Sequence, residues 1–101
     1  MANSYTKFNE VAVSDLVNYL RLSETTQADL TLLGTILEAG KDYILTYTGQ
    51  PSEKADEFPE FTIALYVICE DMYDKRTYTV DKDISNKITD SILGSRSINL
   101  L

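Results

Sequence analysis

Apolar positions are densest in one continuous stretch, FPEFTIALYVICEDMYDKR over residues 58–76. Pro59 suits a first helical position, where a missing N–H is no loss, and Glu60 favours the positive end of the helix dipole. At about 100° per residue, Phe61, Ala64, Leu65, Ile68 and Met72 share one face. Ile63 and Val67 point nearly the opposite way, flanked by Tyr66, Cys69 and Tyr73. The surface helix of a lone domain carries a single apolar stripe, so this pattern predicts a helix covered from two sides. Either it is a central core helix, or one face packs within the subunit and the other meets a neighbour. On the second reading Ile63, Tyr66, Val67 and Tyr73 form a subunit interface.

The rest of the chain is read around that helix. Residues 1–13 have no sustained periodicity and are expected to be a flexible N-terminal arm, loose or ordered by a partner. Ser14 reads as an N-cap for a short helix over 15–22, with Asp15 in its first turn and Leu16, Leu20 and Val17 inward. Thr26 with Asp29 approximates a capping box, opening the cleanest amphipathic helix, which runs to about residue 47. Its apolar face is Leu33, Ile36, Leu37, Gly40, Tyr43, Ile44 and Tyr47; its wet face is Thr31, Thr35, Glu38, Asp42 and Thr46. Gly40 lies in the apolar stripe, where glycine costs about 1 kcal/mol against alanine. It reads as permitting close helix–helix approach, with simple tolerance the alternative. Gly49 is a good stop, reinforced by Pro51. Residues 50–57 form an acidic connection too polar for core. Residues 77–85 are β-branched and charged, an extended loop or a short strand pair. Asn86 can cap a last helix over 87–93, with Ile88, Ile92 and Leu93 apolar and Gly94 ending it. The expected fold is therefore all-α, a small bundle of about four helices built on two long antiparallel helices. A short extended loop precedes the last helix. Residues 14–94 are the helical domain, and 95–101, SRSINLL, a C-terminal tail.

Length and charge narrow the function classes. At 101 residues the chain is one domain with room for an adequate core. Cys69 is the only cysteine, so an intrachain disulfide is excluded and an intracellular setting is expected. There is no apolar run of membrane-spanning length and no signal-peptide pattern, so a soluble protein without membrane contact is expected. The net charge is −7, with 16 acidic and 9 basic residues. That balance argues against an autonomous DNA-binding module. It is also uneven. Residues 1–74 hold 4 basic and 13 acidic residues (−9), whereas 75–101 hold 5 and 3 (+2).

Signals for catalysis are weak. There is no histidine, the usual general base and metal ligand. Cys69 has Glu70 beside it, and a carboxylate raises a thiol pKa, so it reads as a core or interface residue. Asp81-Lys82-Asp83-Ile84-Ser85 imitates the start of a calcium loop. Asn86 stands where that loop needs glycine, and Ile92 where it needs a bidentate glutamate. Glu70, Asp71 and Asp74 read as a solvated face. The expectation is no enzyme, no cofactor and no metal.

Four pieces in order carry a resemblance. They are VSDLVNYLRL at residues 13–22, LEAGKDYILTYTG at 37–49, PEFTIALYVICEDMYDKR after an acidic linker, and ITDSILGSRSINLL at 88–101. Each is a generic capped helix, but together, at these spacings, they cover about nine-tenths of the chain. The layout resembles the small head–tail connector (adaptor) proteins of tailed bacteriophages. Many members carry a proline after the asparagine that precedes the last helix; here Lys87 occupies that place.

The resemblance implies a helical subunit that assembles as a ring, dodecameric when complete, beneath the portal protein. Such a ring extends the DNA channel and docks the stopper or tail-completion protein. DNA passes through without specific binding. The setting implied is the virion's head–tail junction, reached from the host cytoplasm during assembly. The tail, with Arg96, Ile98, Leu100 and Leu101, would dock on the portal, although those apolar residues could equally fold back onto the subunit's own core. The alternative from a different class is a small acidic phage-encoded interaction protein, an inhibitor or DNA mimic, acting as monomer or dimer.

Overall fold

In the computed structural model, residues 6–77, 79, 80, 82 and 83 are described. They form an all-α unit: a single 3-10 turn at Phe8–Glu10, then α1 (Val13–Tyr19), α2 (Gln27–Thr48), α3 (Ser52–Ala55) and α4 (Pro59–Lys75). The last helix expected over 87–93 and the tail 95–101, with Arg96, Ile98, Leu100 and Leu101, lie outside the described residues. So do residues 78, 81, 84 and 85 of the loop expected over 77–85. No strand occurs among the described residues.

The caps of α2 follow directly from its sequence. Thr26 Oγ1 accepts from the Asp29 N–H and Asp29 Oδ2 accepts from the Thr26 N–H, both at 3.1 Å. Two of the helix's orphan donors are thereby satisfied by each other's residues. At the far end Gly49 takes φ 73°, a left-handed conformation that suits glycine. Thr48, fully buried, donates its hydroxyl to the Ile44 carbonyl at 2.8 Å.

The opening of α1 differs from expectation. Its N-cap is Ala12, not Ser14, because the Asp15 carboxylate reaches back to the Ala12 N–H at 2.8 Å. Alanine offers no side-chain oxygen, so only half of a capping box forms. The helix also stops sooner, at Tyr19. Arg21 turns left-handed (φ 58°) and the Leu22 N–H reaches the Val17 carbonyl. Arg76 closes α4 in the same way, at φ 54°, with the Thr77 N–H bonded to the Met72 carbonyl. Its guanidinium lies 4.5 Å from the Tyr73 ring centre.

The expectation of a flexible arm over 1–13 fails for its second half. Phe8 and Val11 are buried in the core, and Phe8 meets Phe61 edge to face, with ring centres 6.0 Å apart. Two isolated apolar residues carry no period, which is why the segment read as loose. Polar contacts fasten the same segment. The Asn9 N–H donates to Asp56 Oδ1 and the Asn9 side-chain amide to the Ser52 carbonyl, each at 2.8 Å. Lys41 Nζ donates to the Val11 carbonyl at 3.1 Å and Thr62 Oγ1 to the Thr6 carbonyl at 2.8 Å. The connection over 50–57 is corrected likewise. It folds into α3 and buries Ala55 completely, since one small residue at the right position serves as core in a polar segment.

Helices α2 and α4 make the largest contact in the unit. Phe61, Ala64, Leu65, Ile68 and Met72 are all fully buried, facing Leu33, Ile36, Leu37 and Ile44 in the same core. Gly40 sits at their closest approach. A Cβ there would stand 3.0 Å from Leu65 Cδ1 and 3.2 Å from Cys69 Sγ. The glycine therefore makes room for a close approach that an added Cβ would force Leu65 and Cys69 to give way to, whereas a Cβ at Gly34 would meet only Val13 at an ordinary 3.9 Å.

A matched pair of substitutions tests this. Gly34→Ala should raise stability by about 0.5–1 kcal/mol through helix propensity. Gly40→Leu should lower it by about 3 kcal/mol or more, because overpacking outweighs propensity. Urea denaturation followed by circular dichroism measures both; equal effects at the two sites would show that the α2–α4 contact does not need glycine.

Candidate interaction surface

The outer side of α4 follows from the same periodicity that builds its buried side. Residues one half-turn from Leu65 and Met72 face away from α2. Ile63 is 56% exposed, and with Tyr19 of α1, 42% exposed, it is one of two large hydrophobic residues exposed among those described. Val67, one turn along from Ile63, is half-buried and packs against the edge of the core.

Tyr66 lies beside them and is half-buried under Tyr19. The two rings stack, with centres 4.7 Å apart and planes 12° from parallel. Offset aromatic pairs of this kind contribute roughly 0.5–1.5 kcal/mol beyond their buried area. Tyr19 Oη donates to Glu70 Oε1 at a long 3.4 Å. Burial raises the Tyr19 pKa, and the Glu70 carboxylate adds to that shift by opposing a second negative charge. Burial likewise raises the Tyr66 pKa, with Asp15 contributing.

Of the four residues assigned to an interface, Ile63, Tyr66 and Val67 share this surface. Tyr73 sits seven residues, about 10 Å, beyond Tyr66 along the helix. There it meets the Arg76 guanidinium, which also lies 4.0 Å from Asp29. The sequence reading missed Tyr19, because it falls off the inward stripe of a very short helix. An exposed aromatic on α1 facing the flank of the two-sided helix was the available signal.

The remaining candidates do not assemble into a reactive site. Cys69 is fully buried and its Sγ lies 3.9 Å from the Ile36 carbonyl. Burial pushes its pKa up to about 12, with Lys41 pulling weakly the other way. Glu70 and Asp74 are exposed, as a solvated face requires. Asp71 departs from that expectation, with its side chain 10% exposed and Oδ1 paired to Lys75 at 2.9 Å. Its Oδ2 is buried without a hydrogen-bond partner among the described residues. The three carboxylates point to different surroundings and do not converge. No described helix is long and apolar enough to cross a membrane.

No protein-family model, curated protein or solved structure matches this chain.

Two outcomes are expected from these positions. Leu65→Asp should unfold the protein, since a buried unpaired carboxylate adds to the loss of roughly 2–5 kcal/mol for the missing side chain. Ile63→Asp should leave the melting temperature within a few degrees of wild type. An equal loss at both sites would make the outer face part of the core.

Cys69 gives a pH signature. The unfolded thiol releases its proton near 9.0 and the folded one holds it to about 12. The unfolded state thus binds fewer protons across that window, and stability falls as pH rises through it. Cys69→Ala should flatten this alkaline slope in urea titrations at successive pH values.

Proposed function

We propose that the chain is a structural head–tail connector subunit of a tailed bacteriophage, which forms a ring beneath the portal and extends the DNA channel. One observation carries the reading: a central helix whose buried stripe is complete, yet whose outer face presents Ile63 beside the stacked Tyr19–Tyr66 pair. A subunit in a ring makes the same heterologous contact at each boundary, so it needs an apolar surface left over after its own core is satisfied. Tyrosine is among the residues enriched at the centres of such contacts.

The finer architecture fits this role. Asp29 is opposite Arg76, Ile36 opposite Cys69 and Gly40 opposite Leu65. As positions rise along α2 they fall along α4, which supports two long antiparallel helices as the frame of the subunit. The −9 balance over residues 1–74 suits a channel through which DNA slides, because like charge prevents sticking. On this reading Ile63, Tyr66 and Val67 meet the neighbouring subunit, and Arg96, Ile98, Leu100 and Leu101 dock on the portal. The stopper or tail-completion protein binds the ring, and the protein needs no cofactor.

Native mass measurement with negative-stain imaging, over a rising concentration series, tests the reading. Closed rings should appear, first as a minor population, and Ile63→Asp should abolish them while the protein stays folded. Monomers or dimers at every concentration, unaffected by Ile63→Asp, would favour a small acidic interaction protein instead.

A further inference from the structure

The outer side of α4 carries a spacing that limits what can meet it. Ile63, Val67, Glu70 and Asp74 follow the alternating four-and-three steps by which one helix seats on another. The stripe is polarised, apolar at Ile63 and Val67 and bearing exposed carboxylates at Glu70 and Asp74. A two-fold contact would lay it on its own copy. Parallel pairing then sets Glu70 on Glu70 and Asp74 on Asp74. Antiparallel pairing sets the same carboxylates against Val67 and Ile63. The first opposes like charges and the second buries charges without counterions, so the face is a poor partner for itself. Its complement is a cationic group beside an apolar or aromatic one.

We infer, resting on the ring reading, that the outer face of α4 is met head to tail by the Tyr73–Arg76 corner of a second copy, with Arg76 opposite Glu70. The Arg76 side chain is 58% exposed and its contact with Asp29 is long, at 4.0 Å. Its guanidinium is already held over the Tyr73 ring, 4.5 Å from the centre. The other described cations fit less well. Lys75 is paired with Asp71, and Lys41 is turned into the Val11 carbonyl. Arg21 lies two residues past Tyr19 and so travels with the face it would have to meet. Lys7, Lys54 and Lys82 are exposed, but lysine is depleted at interface centres, where arginine and tyrosine are enriched. Arg76 also reaches toward Asp29 of α2, the helix that Ile63 faces away from. The corner and the face therefore look in different directions, as the two unlike patches of a heterologous contact must.

Charge reversal on the full chain tests the pairing, with rings counted by native mass and negative stain and folding followed by melting temperature. Glu70→Arg and Arg76→Glu should each cut the ring fraction by about tenfold or more while the chain stays folded. Mixed in equal amounts, the two variants should reassemble into rings that hold both in alternation, because each supplies the charge that the other lacks. If Arg76→Glu loses stability beside Asp29, Glu70→Gln and Arg76→Gln take the place of the reversals. Each should then weaken assembly, and the double variant should be no weaker than either. Rings that survive both reversals, or losses that add in the neutral variants, would overturn the inference and leave the ring reading standing. Dimers joined by a disulfide at Ile63→Cys would put face on face and overturn it. Absence of rings from the unaltered chain at every concentration would overturn the inference together with the ring reading.

Discussion

The structure depends on how closely α2 and α4 can approach at Gly40. A Cβ at that position would press on Leu65 and Cys69 at 3.0 and 3.2 Å, so the side chains of α4 pack directly on the backbone of α2 there. That proximity lets Ile36, Leu37 and Ile44 reach a continuous apolar stripe on α4 and bury it fully. It also explains the state of Cys69. The thiol is wedged against α2 with a backbone carbonyl as its weak partner, which makes it a small hydrophobe rather than a nucleophile.

Two helices alone would leave the near end of α4 uncovered. The N-terminal segment supplies the cover, with Phe8 closing over Phe61, Val11 buried in the same core, and polar contacts from Asn9, Lys41 and Thr62 holding the backbone in place. These contacts join residues about thirty or more positions apart. Each hydrogen bond contributes about 1 kcal/mol net, so the segment is held by several weak ties and one aromatic anchor. The ion pair between Arg76 and Asp29 is exposed and long, and it contributes little beside them.

Satisfying the core in this way leaves α4 with a second face that is only partly covered. Ile63 is exposed there although its neighbours in sequence are buried. The Tyr19–Tyr66 stack fixes two large rings next to it, at little further entropic cost on association because both are already ordered.

The sequence by itself determined the helical class, the span and caps of α2, the start of α4, and the division of α4 into buried and outer faces except at Cys69, which read as flanking the outer face and is buried against α2. These are local properties, set by periodicity, by Thr26 with Asp29, by Pro59 and by Gly49. It could place Gly40 in the stripe but not decide whether packing needed a glycine there, because that depends on Leu65 and Cys69 some twenty-five positions away. It missed Ala12 as a cap, since the carboxylate of Asp15 does that work from three residues on. Only tertiary structure turned Phe8, Val11 and Ala55 into core, because an isolated apolar residue carries no period and becomes buried only when a distant surface meets it. The same is true of the surface around Ile63. The wheel supplied Ile63, Tyr66 and Val67, and folding added Tyr19 by laying α1 along their flank.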